Sequence, residues 1–283
     1  MTKPDIVAGL RQLGIRPGMG MVVHSSLSSF GHVQGGAHPV VSALMECLGG
    51  EGTLLMPTFN HGLILEPGGM GYYSVAETPT RNGAIPELFR TMRGVHRSLH
   101  PTHAFAAWGS NAERYVAQHH RTFTMGEGSP LAQLLADDGY CLLLGVSYRS
   151  NTFHHVVETA MGATCLGPRT EAYPVVLSDG REVTGRSWGW RERDCRLTGG
   201  NAYADEMERR GLHREVRIGS CRALLYRLRD CFEVVSGFLR EGRDDIAPCS
   251  RCPIRPRKVA HTVESDWDLE SGRLRPDSES LTY

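Results

Sequence analysis

Between residues 19 and 57 the chain passes from an apolar run to a small-residue loop, then to a periodic segment and back to an apolar run. Residues 19–24 are short, rich in Met and Val, and end in Ser25-Ser26, which reads as a buried strand feeding a polar loop. Residues 31–36 are loop. Residues 37–48 set Val40, Val41, Ala43, Leu44, Cys47 and Leu48 at helical spacing and are closed by Gly49-Gly50. Residues 53–56 form the next strand, stopped by Pro57. Strand, loop, helix and strand in succession predict an α/β unit built on a parallel sheet.

The rest of the chain extends this pattern. Residues 59–82 carry many glycines and prolines with no period and read as a long functional excursion. Helices are expected over 85–92, with Pro86 in the first turn, over 111–119, and over 130–136, with Ser129 as N-cap. Strands are expected over 104–108 and 140–146, and a helix over 151–161. Residues 173–177 and 182–184, joined by Asp179-Gly180, spell a β-hairpin. Residues 202–210 and 221–238 read as helices, the second long and amphipathic. One domain is expected over 1–241, followed by a charged, proline-containing extension over 242–283 that is peripheral or partly ordered.

Composition excludes several function classes. Lys+Arg and Asp+Glu number 31 each, so no global field favours nucleic acid or an acidic membrane. The lysines are Lys3 and Lys258 alone, which leaves no phosphate-binding Gly-Lys-Ser/Thr loop and no core lysine for Schiff-base chemistry. No basic-then-apolar leader and no apolar run near the roughly 20 residues of a membrane helix are present, so a cytoplasmic protein is expected. Of eight cysteines, Cys47, Cys141, Cys165, Cys221 and Cys231 fall in or near apolar patterns and read as reduced thiols packed as small hydrophobes.

Chemistry-bearing residues cluster where strands end. Ser25, Ser26, Leu27, Ser28, Ser29, Phe30 and Gly31, with the loop closing at Gly35-Gly36, follow the first strand and precede the first helix. In an open α/β sheet that crevice takes ligands, and hydroxyls and helix-start N–H groups suit phosphates; a serine-rich turn is the plain alternative. His155 and Glu158 lie three apart on the helix expected after the 140–146 strand, so they share a face. A carboxylate there can orient the imidazole and leave its other nitrogen to take a proton; two exposed residues on a first turn are the alternative. His100 and His103 could line the same cleft or make a turn, and Glu127 and Ser129 could meet a ligand or serve a helix start. Cys249 and Cys252, with His261 downstream, have zinc-knuckle spacing but no second pair. Histidines 100, 103, 154 and 155 raise a metal-dependent amidohydrolase as a rival enzyme class, without its usual motifs.

Five strings in order resemble the aminoglycoside 3-N-acetyltransferase family: VVHSSLSSFGHVQGGAHPVVSALMECLGGEGTLLMPTF (22–59), NGAIPELFR (82–90), RSLHPTHAFAAWG (97–109), GEGSPLAQLL (126–135) and NTFHHVVE (151–158). The resemblance is dense over 10–160 and weaker to about 240. It implies a three-layer α/β/α sandwich with a mostly parallel central sheet plus a β-hairpin excursion. It further implies acetyl-CoA as co-substrate, no required metal, and direct acetyl transfer to a primary amine. His155 and Glu158 match the family's H-x-x-E motif, Ser25 to Gly31 the loop that meets the coenzyme, and His100, Pro101 and His103 its HPxH segment near the cleft. The expected partner is a small-molecule amine, not nucleic acid or membrane, and a homodimer is the assembly considered. Residues 160–200, with Trp188 and Trp190 among arginines, depart from better-known members and leave a biosynthetic N-acyltransferase on a non-aminoglycoside amine as the alternative.

Overall fold

The structure, a computed structural model, describes residues 1–60, 68–161, 172–187, 202–240 and 267–275. Strands β1 (Gly20–Ser25), β2 (Thr53–Pro57), β4 (His96–Arg97), β5 (Phe105–Gly109), β6 (Tyr140–Leu144), β9 (His213–Ile218) and β10 (Cys221–Arg227) form a seven-stranded sheet in the order β4-β5-β2-β1-β6-β10-β9. β1 lies parallel to β2 and β6, while β5 and β10 run antiparallel to β2 and β6 and also to their outer neighbours β4 and β9. Five of the seven strands therefore share one direction, and parallel pairing is confined to the two contacts of β1.

Side-chain alternation along these strands makes three layers. Met21, Val23, Leu54, Met56, Leu142 and Leu144 enter one core with helices α1 (Lys3–Leu13), α2 (Ala37–Leu48) and α3 (Ala84–Phe89). Val22, Leu55, Cys141 and Leu143 enter the other. That second core is closed by α4 (Ala112–Ala117), α5 (Pro130–Ala136), α6 (His154–Ala160), α7 (Ala202–Arg209) and α8 (Leu228–Arg240). Strands apolar on both faces are what a sheet covered by helices on both sides requires. Cys47, Cys141, Cys221 and Cys231 are buried free thiols; Cys165 lies outside the described residues.

The hairpin β7 (Tyr173–Val176) and β8 (Glu182–Gly185) forms as expected, with β3 (Tyr73–Ser74) added in parallel to β7. A further pair, β11 (Trp267–Asp268) and β12 (Arg273–Leu274), packs on it: Trp267 Nε1 donates to Arg186 O at 2.9 Å, within an apolar cluster of Tyr73, Tyr173, Val175 and Val183.

One expected helix is wrong. Residues 221–227 are β10, and only Leu228–Arg240 is helical. Ala223 and Leu225 face one core and Leu224 and Tyr226 the other, so a doubly buried strand had mimicked a buried helical face. Gly219-Ser220, between the paired Ile218 and Cys221, is a two-residue hairpin turn. The helix over 151–161 begins later, at His154, after a 3₁₀ turn at Tyr148–Ser150.

Candidate active site

Strand directions bring five loops to one edge. The carboxyl ends of β1, β2 and β6 meet the amino ends of the antiparallel β5 and β10, so residues 25–36, 58–60, 98–104, 145–153 and 219–220 share that rim.

His155 Nδ1 lies 2.8 Å from Glu158 Oε2. A carboxylate accepts, so the imidazole donates from Nδ1 and presents Nε2 as the basic nitrogen. The local sequence enforces this. Phe153, Val156 and Val157 turn into the core, which leaves His155 and Glu158 together on the neighbouring face. His155 keeps 23% of its side-chain surface while Glu158 keeps 3%: one is reachable, the other is sunk behind it as a fixed orienting charge. Asn151 makes the turn ahead of the helix, its Oδ1 accepting from Phe153 N at 3.0 Å.

Three bonds hold the loop after β1, one within it and two to its surroundings. Ser26 N donates to Leu144 O (2.9 Å), Ser29 Oγ to Ser26 O (2.7 Å), and Ser220 Oγ to Ser29 O (2.9 Å). These bonds divide the expected coenzyme residues. Phe30 is buried in the core, Leu27 packs against it, and Ser29 turns its hydroxyl inward. Ser26 and Ser28 share a 3.1 Å hydroxyl contact, and Ser28 and Gly31 are exposed; Gly36 caps α2. Ser25 Oγ is buried without a partner. Gly145 closes the loop from below: its φ is +68°, and a Cβ there would collide with the Ser29 hydroxyl, so no larger residue fits.

His100 and His103 sit at the rim but do not join His155. His100 is buried, its Nδ1 accepting from His103 N (3.0 Å), its Nε2 3.4 Å from Thr124 Oγ1, and its ring stacked on His119. Burial holds it neutral, its pKa pushed well below the usual range, with neighbouring histidines adding to the effect. His103 Nδ1 meets Thr102 Oγ1 at 2.9 Å. Glu127 is exposed, and Ser129 is spent on capping α5, accepting from Ala132 N at 3.4 Å. Among the described residues the donor grouping compact enough for a metal is His154, His155 and Glu158, with ligand atoms within 4.8 Å of one another. The hydrolase ligand set of His100, His103 and His155 is therefore not assembled. Trp188, Trp190, Cys249, Cys252 and His261 lie outside the described residues.

Sequence reasoning passed over Asn60, Gly145 and Tyr203. Asn60 is fully buried at the rim with both amide atoms unpartnered, and only its place after Pro57-Thr58-Phe59 hints at it. A cleft of about 300 Å³ opens at the opposite edge, beside Arg16, Tyr140, His213, Arg214 and Asp230.

A dyad at the carboxyl rim of a three-layer α/β/α sheet defines a class, and comparison with known proteins places the chain in it. The aminoglycoside 3-N-acetyltransferase family model matches residues 22–240, and the chain belongs to that family, whose members are acetyl-CoA-dependent transferases. The SPbeta prophage-derived aminoglycoside N(3')-acetyltransferase-like protein YokD of Bacillus subtilis is 39% identical over 176 residues, 56% of this chain and 64% of that protein's length. Aminoglycoside N(3)-acetyltransferase IV of a Salmonella species is 32% identical over 249 residues, 86% and 88% of the two chains. Among solved structures, a histidine-to-alanine mutant of aminoglycoside acetyltransferase AAC(3)-IVa in complex with a gentamicin superposes with a TM-score of 0.71 at 28% identity, over 93% of this chain and 97% of that one.

Proposed function

We propose that the chain moves an acetyl group from coenzyme A directly to a primary amine of an aminoglycoside or related small molecule, with His155 as general base. The observation that carries this reading is the His155–Glu158 bond at the rim, with Nε2 left as the acceptor. An amine is mostly ammonium at neutral pH and cannot attack until it loses a proton, and imidazole is the side chain whose ordinary titration suits that task. His155 Nε2 takes the ammonium proton; the freed nitrogen bonds to the acetyl carbon as the carbon–sulfur bond breaks; that proton returns to the departing sulfur, and the nitrogen's second proton leaves to solvent to give the neutral amide. Glu158 steadies the imidazolium formed between those events. Ser26, Ser28 and Gly31, exposed or half-buried beside the orphaned Ser25 hydroxyl, suit the coenzyme, which supplies an acyl group already activated as a thioester. The gentamicin complex of the structural relative supports an aminoglycoside as acceptor. Of the carboxylates that could draw a polycation, Glu158 serves His155 and Glu206 is held by Arg209 and Arg210.

The test is free-thiol release from acetyl-CoA over a panel of aminoglycosides and simpler amines, with products weighed by mass spectrometry. Release that requires an aminoglycoside, with a product heavier by one acetyl group, is the expected result. Thiol release without any amine would make the protein a thioesterase instead.

A further inference from the structure

Tyr203 of α7 stands far from His155 in sequence, is 2% exposed, and lies against the segment that launches α6. Its hydroxyl meets three groups of that segment. It donates to Tyr148 O at 2.9 Å, and lies 3.3 Å from Asn151 Nδ2 and 3.4 Å from His154 Nδ1. A phenol has one proton, and a carbonyl can only accept, so the other two partners must donate: the Asn151 amide, and His154 as its Nδ1–H tautomer. The hydroxyl's capacity is then used completely. Asn151 is the same side chain that closes the turn ahead of α6 by accepting from Phe153 N, and its Nδ2 also lies 3.7 Å from Cys231 Sγ on α8. The Tyr203 ring stands edge-on to Tyr148, which stacks on Tyr226 of β10 at 5.1 Å. His154, in turn, sets its ring edge-on to His155 at 4.1 Å between centroids.

α6 is seven residues long, too short to keep a fixed orientation by its own hydrogen bonds. The His155–Glu158 bond fixes the imidazole relative to that helix, since both ends belong to it. It does not fix the helix relative to the sheet and the coenzyme loop. Packing of Phe153, Val156 and Val157 into the core and the Tyr203 contacts do, the latter because they join α7 to the backbone before α6, to the Asn151 turn ahead of it, and to its first residue.

We propose that Tyr203 is a positioning residue for acetyl transfer: by holding Tyr148, Asn151 and His154 it sets the direction in which His155 Nε2 points. The inference rests on the reading of His155 as base, and Tyr203 acts through it.

Tyr203→Phe keeps the ring and removes the hydroxyl. With a turned-over amine, kcat should fall roughly 10- to 100-fold, the scale of misorientation from outside the reacting centre, with both KM values within about two-fold. In a His155→Ala background the same change should cost nothing more, because the group it aims is gone. Unchanged kcat in the single variant, or a full multiplicative loss in the double, overturns the proposal. Should Tyr203→Phe fold poorly, His154 supplies a second test. His154→Asn keeps a donor near Nδ1 and should hold kcat within about three-fold, whereas His154→Leu should lower it; equal activity in both variants overturns the proposal. A loss in His155→Ala with none in Tyr203→Phe removes this inference and spares the base, while full activity in His155→Ala removes the base itself.

Discussion

His155→Ala is expected to lower kcat by roughly 10²- to 10⁴-fold while leaving acetyl-CoA affinity nearly unchanged, the usual scale for losing a general base. Affinity is spared because the loop assigned to the coenzyme is tied to Leu144 and Ser220 rather than to α6. His154→Ala should cost less, since the His154 ring meets Tyr203 instead of the Glu158 carboxylate. Glu158→Gln should fall between the two: an amide oxygen still accepts from Nδ1, but no charge stabilises the imidazolium. Steady-state assays and calorimetric titration of the three variants check the order. A larger loss for His154 than for His155 would reverse the roles of these neighbours.

Acid is expected to destabilise the fold steeply below pH 6.5. Besides His100, burial depresses three more histidines, His24 to about 4, His119 to about 3 and His120 to about 4. The sign follows from linkage. Above 6.5 each is neutral in both states and nothing is lost; below it the unfolded chain binds protons that the folded chain refuses, until pH reaches the depressed value. Each histidine then withdraws about 1.4 kcal/mol per pH unit. Melting curves should drop by roughly ten degrees or more between pH 7 and pH 5. His119→Gln should start lower, having lost its bonds to Ser98 and Thr124, yet fall with a shallower slope. A melting temperature flat over that range would mean that these side chains charge freely in the folded state.

The elements legible in the sequence were those whose signal is local. β1, α2 and β2 follow from one apolar alternation, α5 matches its expected bounds because Ser129 and Pro130 mark its start, and the β7–β8 turn is spelled by Asp179-Gly180. The His155–Glu158 pair was legible because i,i+3 spacing on a helix fixes proximity. α1 was missed although Thr2, Pro4 and Asp5 mark its beginning, with Thr2 N donating to Asp5 Oδ2 at 2.8 Å. The antiparallel flanks of the sheet were not legible, because strand direction depends on which partner a strand finds. β10 was mistaken for helix because burial on both faces erases the two-residue period. Tyr203 had no signal, since its partners at 148, 151 and 154 are joined to it only by the packing of α7 on α6.

The central claim is direct acetyl transfer by a histidine base, and chelation tests it most directly. His154, His155 and Glu158 place three ligand atoms within 4.8 Å, so the same residues could serve either a proton transfer or a metal. A metal hydrolase would need the ion to bring the pKa of water towards 7; an amine attacking a thioester needs only a proton acceptor. Amine-dependent thiol release should therefore be measured on protein dialysed exhaustively against chelator, with elemental analysis of the same sample. The account predicts an unchanged rate with no stoichiometric metal. Loss of the rate on chelation, restored by zinc or manganese in still-folded protein and absent in His155→Ala, would contradict it.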